Sequence, residues 1–311
     1  MENNAAPAGG GASLVKAVFA SVNGRLREGV PASGVTTLSV GGPIQYLVTV
    51  ESVAELQAVM RLLSSEEQRM YVLGHGSNLL VADAGLAGWV LRLGSAFKGV
   101  ECSAQGEWLV GGAAPLMALA RQVSDQGFSG LEFAAGIPAS LGGSVFMNAG
   151  AHRGEIADRL VSVTGVLPDG ELVTWRRDEL PWKYRSSGLP AGVVVTAAKF
   201  QLVEGDRAEI SRRCTENLTY RRSTQPLTVP SAGSVFKNPS PEMSAGRVLE
   251  DAGLKGASIG GAIVSPMHAN WIVNPEKKAS ASDVARLIEM CQHQARDRLG
   301  VFLEPEVRMW K

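Results

Sequence analysis

The segment SAGSVFKNP, residues 231–239, places one hydroxyl, Ser234, between a turn glycine and the apolar pair Val235 and Phe236. Gly233 permits a sharp backbone turn, so the serine can face a cavity while the residues after it pack inward. The same pattern suits a plain turn leading into a strand, and the segment alone leaves both readings open. Two glycine-rich stretches upstream bear on the choice. LGHGSN, residues 73–78, follows an apolar run and brings Gly74, His75, Gly76, Ser77 and Asn78 together. Such a loop can turn several backbone N–H groups toward one anion, with Ser77 and Asn78 adding hydrogen bonds to phosphate oxygens. GIPASLGGSVFMNAGA, residues 136–151, is longer. There Gly142 and Gly143 would let backbone approach a bulky planar or diphosphate ligand, while Val145, Phe146 and Met147 pack against a core. Neither loop has a lysine in P-loop context, and neither carries the glycine fingerprint of a Rossmann unit.

The chain that must position these residues has 311 of them, 45% hydrophobic and 19% charged, enough for one large core or two to three smaller ones. A soluble globular protein is expected. Thirty Lys plus Arg balance thirty Asp plus Glu. Net charge therefore suggests neither a nucleic-acid nor an anionic-membrane partner, and any charged ligand must be held by a local site. Cys102, Cys214 and Cys291 are far apart and odd in number, which fits a reducing compartment rather than a disulfide framework. The four histidines show no metal-ligand spacing. No apolar run approaches the ~20 residues needed to cross a bilayer. The start, MENNAAPAGGGAS, lacks a signal-peptide pattern, so residues 1–13 are expected to be a flexible tail and the protein cytoplasmic.

Strands and helices alternate early. YLVTV (residues 46–50) reads as a strand, Ser52 then caps the helical stretch VAELQAVMRLL, and MYVLG returns as a second strand. GWVLRLG and EWLVGG follow as strands. A helix from Pro115 carries Leu116, Leu119, Ala120 and Val123 on one face. Residues 160–166 and 192–202 read as strands, with Pro168, Asp169 and Gly170 turning the first into ELVTW. Near residue 205 the composition changes. An arginine-bearing helix to Arg222, short strands, a helix over 243–252, a long helix over 282–299 and a final strand VFLEPEVRMW complete the chain. The expected class is α+β, with boundaries at 14–206 for a two-part region and 207–311 for a smaller C-terminal domain.

In their order, TTLSVGG (36–42), LGHGSNLLV (73–81), GLEFAAGIPASLGGSVFMNAGA (130–151), KYRSS (183–187), SAGSVFKNP and LEPEV (303–307) resemble the UDP-N-acetylenolpyruvoylglucosamine reductase family. The match runs over nearly the whole chain after the tail. The resemblance implies an FAD-binding region of the vanillyl-alcohol-oxidase type in two subdomains, followed by an α+β substrate domain. It also implies NADPH as hydride donor, UDP-N-acetylglucosamine enolpyruvate as substrate in peptidoglycan precursor synthesis, and a monomer. On that basis Gly74, His75, Gly76, Ser77 and Asn78 cradle the FAD diphosphate, while Gly136, Ile137, Gly142, Gly143 and Asn148 line the rest of the cofactor. Two departures stand out. The family often has a basic residue where Ser39 stands, and only SSGLPAG separates Arg185 from the strand VVVTA, without an inserted tyrosine-bearing loop. The substrate diphosphate is then expected to be gripped by Arg222, Gln225 and Asn238.

Reduction of an enol ether needs hydride at one carbon and a proton at its neighbour, and a flavin supplies the hydride that no side chain can. The resemblance assigns Arg185 to the substrate carboxylate, Glu306 to orienting the substrate or hydrogen-bonding the developing oxyanion, and Ser234 to the proton. Tyr184 and Lys237 are further substrate-side candidates. A second enzyme reading keeps the flavin and changes the substrate, giving an oxidase or dehydrogenase of the same fold class.

Overall fold

The structure, a computed structural model, describes residues 10–311. Residues 1–9 of the expected tail lie outside the described residues, and from Gly10 the chain is already helical as α1 (Gly10–Ser21). Leu14, Val18 and Val22 recur at helical spacing and are buried against the first core, which is why the tail ends earlier than its small residues suggest.

In the first subdomain, strands Pro43–Val50, Leu86–Leu93 and Met70–Val72 run parallel, and Leu26–Pro31 pairs antiparallel on the outer edge. Helix α2 (Val53–Ser65) makes the crossover. The Ser52 hydroxyl accepts from Glu55 N at its start, and Leu56, Val59, Met60 and Leu63 face the sheet fully buried. Each such burial stabilises by roughly 1.5–3 kcal/mol. The second subdomain is a five-stranded antiparallel sheet ordered Leu172–Arg176, Leu160–Val166, Val194–Gln201, Glu107–Gly111 and Val100–Cys102. Helix α3 (Leu116–Asp125) buries Leu116, Leu119, Ala120 and Val123, as its periodicity requires. The second glycine stretch is not all loop. Ser140 caps a short helix, α4 (Leu141–Phe146), whose Leu141 and Val145 enter the same core.

Helix α5 (Arg207–Thr224) starts where the C-terminal domain was expected, with Asp206 accepting from Ala208 N and Glu209 N. It nevertheless packs on α3 and the turn Glu132–Gly136. Arg213 sits 2.9 Å from Glu132, and Asn217 Nδ2 donates to Glu132 O. Side-chain contacts, invisible to a composition shift, attach this helix to the second subdomain. Beyond it, a four-stranded antiparallel sheet orders Ser231–Ser234, Trp271–Val273, Ala262–Val264 and Ser258–Ile259. Helices α6 (Ala245–Asp251) and α7 (Ala281–Leu299) cover it.

The C-terminal core is closed by residues from far upstream. Leu38, Val40 and Leu80 are buried in it, and the Asp83 carboxylate accepts from Ala281 N and Ser282 N at the start of α7. The last strand is shorter than VFLEPEVRMW suggested. It covers Arg308–Trp310 and pairs in parallel with Leu79–Val81. Pro305 has no N–H to extend a ladder, and Glu306 N turns instead to Val235 O at 2.7 Å.

Candidate active site

The Ser234 segment is aimed by a slip in its own pairing. Ser231 pairs with Val273 and Ser234 with Trp271, with an irregularity between them. Such a bulge re-aims a side chain, and Gly233 provides the left-handed step at φ +74°. Ser234 thereby lines the cavity while Val235 and Phe236 are buried behind it. Asn270 locks this arrangement: its carbonyl accepts from Val235 N, its Oδ1 from Phe236 N, and its Nδ2 donates to Phe236 O. Sequence reasoning missed Asn270, since nothing in HANW marks an asparagine that clamps a strand 34 residues away.

Glu306 sits beside that strand because its own N–H bonds Val235 O, and its carbonyl accepts from Asn78 Nδ2 at 3.1 Å. Arg308 N in turn donates to Asn78 O. The C-terminal strand therefore ties the first glycine loop to the Ser234 segment. Arg185 reaches the same place from the other subdomain, held at φ +58° in the short loop after Trp182. Its Nε lies 2.8 Å from Glu306 Oε1, as an ion pair rather than an aligned hydrogen bond, and its Nη2 donates to Gly150 O at 3.0 Å. Burial pushes the Glu306 carboxyl above its ordinary value, with Arg185 and then Lys237 pulling the other way. Tyr184 stacks behind the guanidinium, 4.8 Å from Cζ to ring centre.

Ser234, Arg185 and Glu306 line a cavity of about 1400 Å³. Both glycine loops line the same cavity. Gly74, His75, Gly76, Ser77 and Asn78 all line it, as do Ile137, Gly142 and Gly143. The loops touch: a Cβ on Gly74 would fall 2.3 Å from Ser140 Oγ. Gly76, at φ +67°, presses on Val35, whose carbonyl would be 2.3 Å from an added Cβ. Thr37 of TTLSVGG braces the junction, its hydroxyl donating to Ser231 O at 2.6 Å and its N–H to Gly76 O. Ser39 is half-buried, at φ +56°, outside the cavity lining.

Several expected contacts fall elsewhere. Asn148 is fully buried, its amide bridging Lys183 O and Ala157 N, so it shapes the loop instead of facing the cavity. Gly136 faces Arg221, whose Cδ would lie 2.5 Å from an added Cβ. Lys237 pairs with Glu304 at 2.6 Å, and Asn238 Oδ1 accepts from Ala245 N, so neither side chain lines the cavity. Tyr184 is likewise outside the lining, its hydroxyl accepting from Asn238 N at 3.5 Å. Arg222 is exposed, whereas its neighbour Arg221 is buried and faces inward. One helical step of 100° decides between them. Burial, with Arg185's charge adding to it, pulls the Arg221 guanidinium down to about 10. Arg221 Nε and Gln225 Oε1 are buried without a protein partner, and both residues line the cavity. Buried polar atoms left open toward a cavity await a ligand's polar groups.

Glycine-bared backbone on one wall and unpaired buried polar groups on the other fit a large, polar, partly planar cofactor such as FAD. Residues 43–176 match the family described as an FAD binding domain, and residues 225–310 match UDP-N-acetylenolpyruvoylglucosamine reductase, C-terminal domain. The fold and site thus define an FAD-dependent oxidoreductase. The chain is 42% identical over 299 residues to UDP-N-acetylenolpyruvoylglucosamine reductase 1 of Bacillus cereus, covering 95% of this chain and 98% of that one. It is 43% identical to the reductase of Synechococcus sp. (strain WH7803), covering 92% and 93%. The crystal structure of UDP-N-acetylenolpyruvylglucosamine reductase from Thermus caldophilus superposes with a TM-score of 0.78 at 40% identity, covering 91% of this chain and 98% of that one. This chain belongs to the UDP-N-acetylenolpyruvoylglucosamine reductase family.

Proposed function

We propose that this chain uses NADPH to reduce the enolpyruvyl ether of UDP-N-acetylglucosamine, giving UDP-N-acetylmuramate for peptidoglycan synthesis, with Arg185, Glu306 and Ser234 as its catalytic residues. The observation that carries the reading is the convergence of those three residues, from three separate segments, on the cavity that the two glycine loops also line. FAD, when bound, supplies the hydride, taken from NADPH and passed to the methylene carbon of the ether.

The chain's own residues deal with the charge and the proton. Arg185 presents a planar fork to the substrate carboxylate and stays cationic as negative charge spreads onto it. Glu306 holds that fork in place, and in its protonated form donates a hydrogen bond to the developing oxyanion. Ser234 Oγ gives its proton to the carbon beside the carboxylate. An alcohol is a weak acid, but the enolate is a strong base, and the Arg185 and Arg221 charges lower the cost of the transient alkoxide. Gln225 and Arg221 bind polar groups in the cavity through atoms that no protein group satisfies. A single chain closes the whole site, which supports a monomer. Among the described residues no helix is long and apolar enough to cross a membrane; we place the enzyme in the cytoplasm, where NADPH and nucleotide sugars are made.

An anaerobic visible spectrum tests the reading. The purified protein is expected to carry flavin absorbance that NADPH bleaches and the enolpyruvyl nucleotide sugar restores. Bleaching by the sugar itself would favour a flavin oxidase or dehydrogenase, and a protein that takes up no FAD would end the assignment.

A further inference from the structure

We infer that a second pocket, across the hairpin 150–155 from the catalytic arginine, receives the 2′-phosphate of the reducing dinucleotide, and that Arg153 and Arg159 are its specificity determinants. The inference rests on NADPH as reductant. The pocket has a volume of about 620 Å³ and shares His152 and Arg153 with the main cavity. Strands Gly150–Ala151 and Gly154–Glu155 form the hairpin, and its Gly150 carbonyl is the acceptor for Arg185 Nη2. A dinucleotide whose reactive ring lies beside Arg185 is far longer than that site. We place its adenosine end outward across the hairpin toward the second pocket, because His152 and Arg153 line both cavities.

The side chains there suit a phosphate. Two of the pocket's three acids are paired with arginines, Glu132 with Arg213 and Glu216 with Arg212, while Asp158 accepts only from Glu155 N and keeps its charge, leaving the two further arginines in excess over one carboxylate. Arg213 is neutralised by Glu132. Arg153 and Arg159 have no carboxylate partner and make no side-chain hydrogen bond among the described residues. Two unpaired guanidinium forks in one pocket suit a dianionic phosphate, which accepts bidentate hydrogen bonds. Gly130 makes room for one of them, since an added Cβ would stand 2.8 Å from Arg159 Cγ.

The hairpin's turn supports the same assignment. His152 and Arg153 both adopt left-handed backbone, at φ +50° and +65°, where Asn-Gly is the favoured pair. Bulky side chains kept in that conformation point to a use for them at this place. His152 packs edge-on to Tyr220 with ring centres 5.6 Å apart, and Tyr220 is 59% exposed at the cavity rim. An exposed aromatic between the two pockets is a surface on which adenine can stack.

The test uses the FAD-loaded enzyme with NADPH and NADH in turn. In Arg159→Gln and Arg153→Gln the ratio of kcat/KM for NADPH to that for NADH is expected to fall at least about tenfold, through KM for NADPH. Inhibition of the unmodified enzyme by 2′,5′-ADP, competitive with NADPH and tighter than by 5′-AMP, is expected to weaken in both variants. Equal rises in KM for both nucleotides, an unchanged ratio, or no preference for 2′,5′-ADP would overturn the proposal. An unmodified enzyme whose flavin neither nucleotide reduces removes the underlying reading instead, and is told apart by the absence of any rate to compare.

Discussion

The two walls of the main cavity recognise ligand in opposite ways. On the wall of residues 73–78 and 136–147, glycines at 74, 76, 142 and 143 expose backbone, and several stand so close to other main chain or Ser140 that one added carbon would collide. The rest of the lining uses long charged side chains, Arg185, Arg221, Glu306 and Arg308, each set by contacts from a different segment. The first wall is sensitive to added volume, and the second to changed chemistry. That difference matches a division of labour in which one wall holds a cofactor through many turnovers and the other meets charge that appears only during reaction.

If the glycine wall binds by close approach, its failure should be all-or-none. Gly76→Ala places a Cβ 2.3 Å from Val35 O at a left-handed φ, so the variant is expected to purify without flavin absorbance and without activity. Retained flavin would show that the loop yields. Substitution on the charged wall should instead separate the half-reactions. For Ser234→Ala, stopped-flow absorbance should show NADPH bleaching the flavin at the normal rate, while reoxidation by substrate slows by about 10²–10⁴-fold. Equal loss of both steps would make the serine part of the cofactor wall. Arg185→Lys keeps the charge but loses the fork, and about a hundredfold loss in the same oxidative step is expected.

A smaller effect separates the walls by pH. Glu306 is raised above its ordinary 4.5 by burial, so the folded state keeps its proton to higher pH than the unfolded chain. The associated stability is full below the unfolded value and is lost as pH rises through the raised one. Glu306→Gln has no such loss, and its Tm relative to the unmodified protein should climb with pH from 4.5 upward. A constant difference would show that burial does not shift this carboxyl. The smallest effect is expected for Arg222→Ala, which points away from both walls: stability within about 0.5 kcal/mol and unchanged kinetics.

The contrast also explains what could be seen in advance. The glycine wall was legible because close approach demands a particular residue type, and LGHGSN and the 136–151 stretch carry that demand in contiguous sequence. Helices α2, α3 and α7 were legible for a similar reason: caps and apolar periodicity are local. The charged wall was harder. Arg221 and Arg222 are indistinguishable as residue types, and only the packing of α5 on α3 and the Glu132–Gly136 turn shows which one is buried. Asn148, Lys237 and Asn238 looked free to bind ligand, but loop and helix-end hydrogen bonds had already engaged them.

By itself the sequence determined the fold class, the family and the two glycine-rich segments, because each rests on a residue type or a contiguous motif, and the family resemblance named Arg185, Ser234 and Glu306 as candidates. The tertiary structure decided that the C-terminal strand returns to Leu79–Val81, bringing Glu306 and Arg308 to the first glycine loop. It also decided that Asn270 fixes the bulged strand and that Arg153 and Arg159 stand unpaired in one pocket. Those facts join residues 6 to more than 200 positions apart. Which of them meet depends on the packing of whole subdomains, and no local propensity or spacing encodes it.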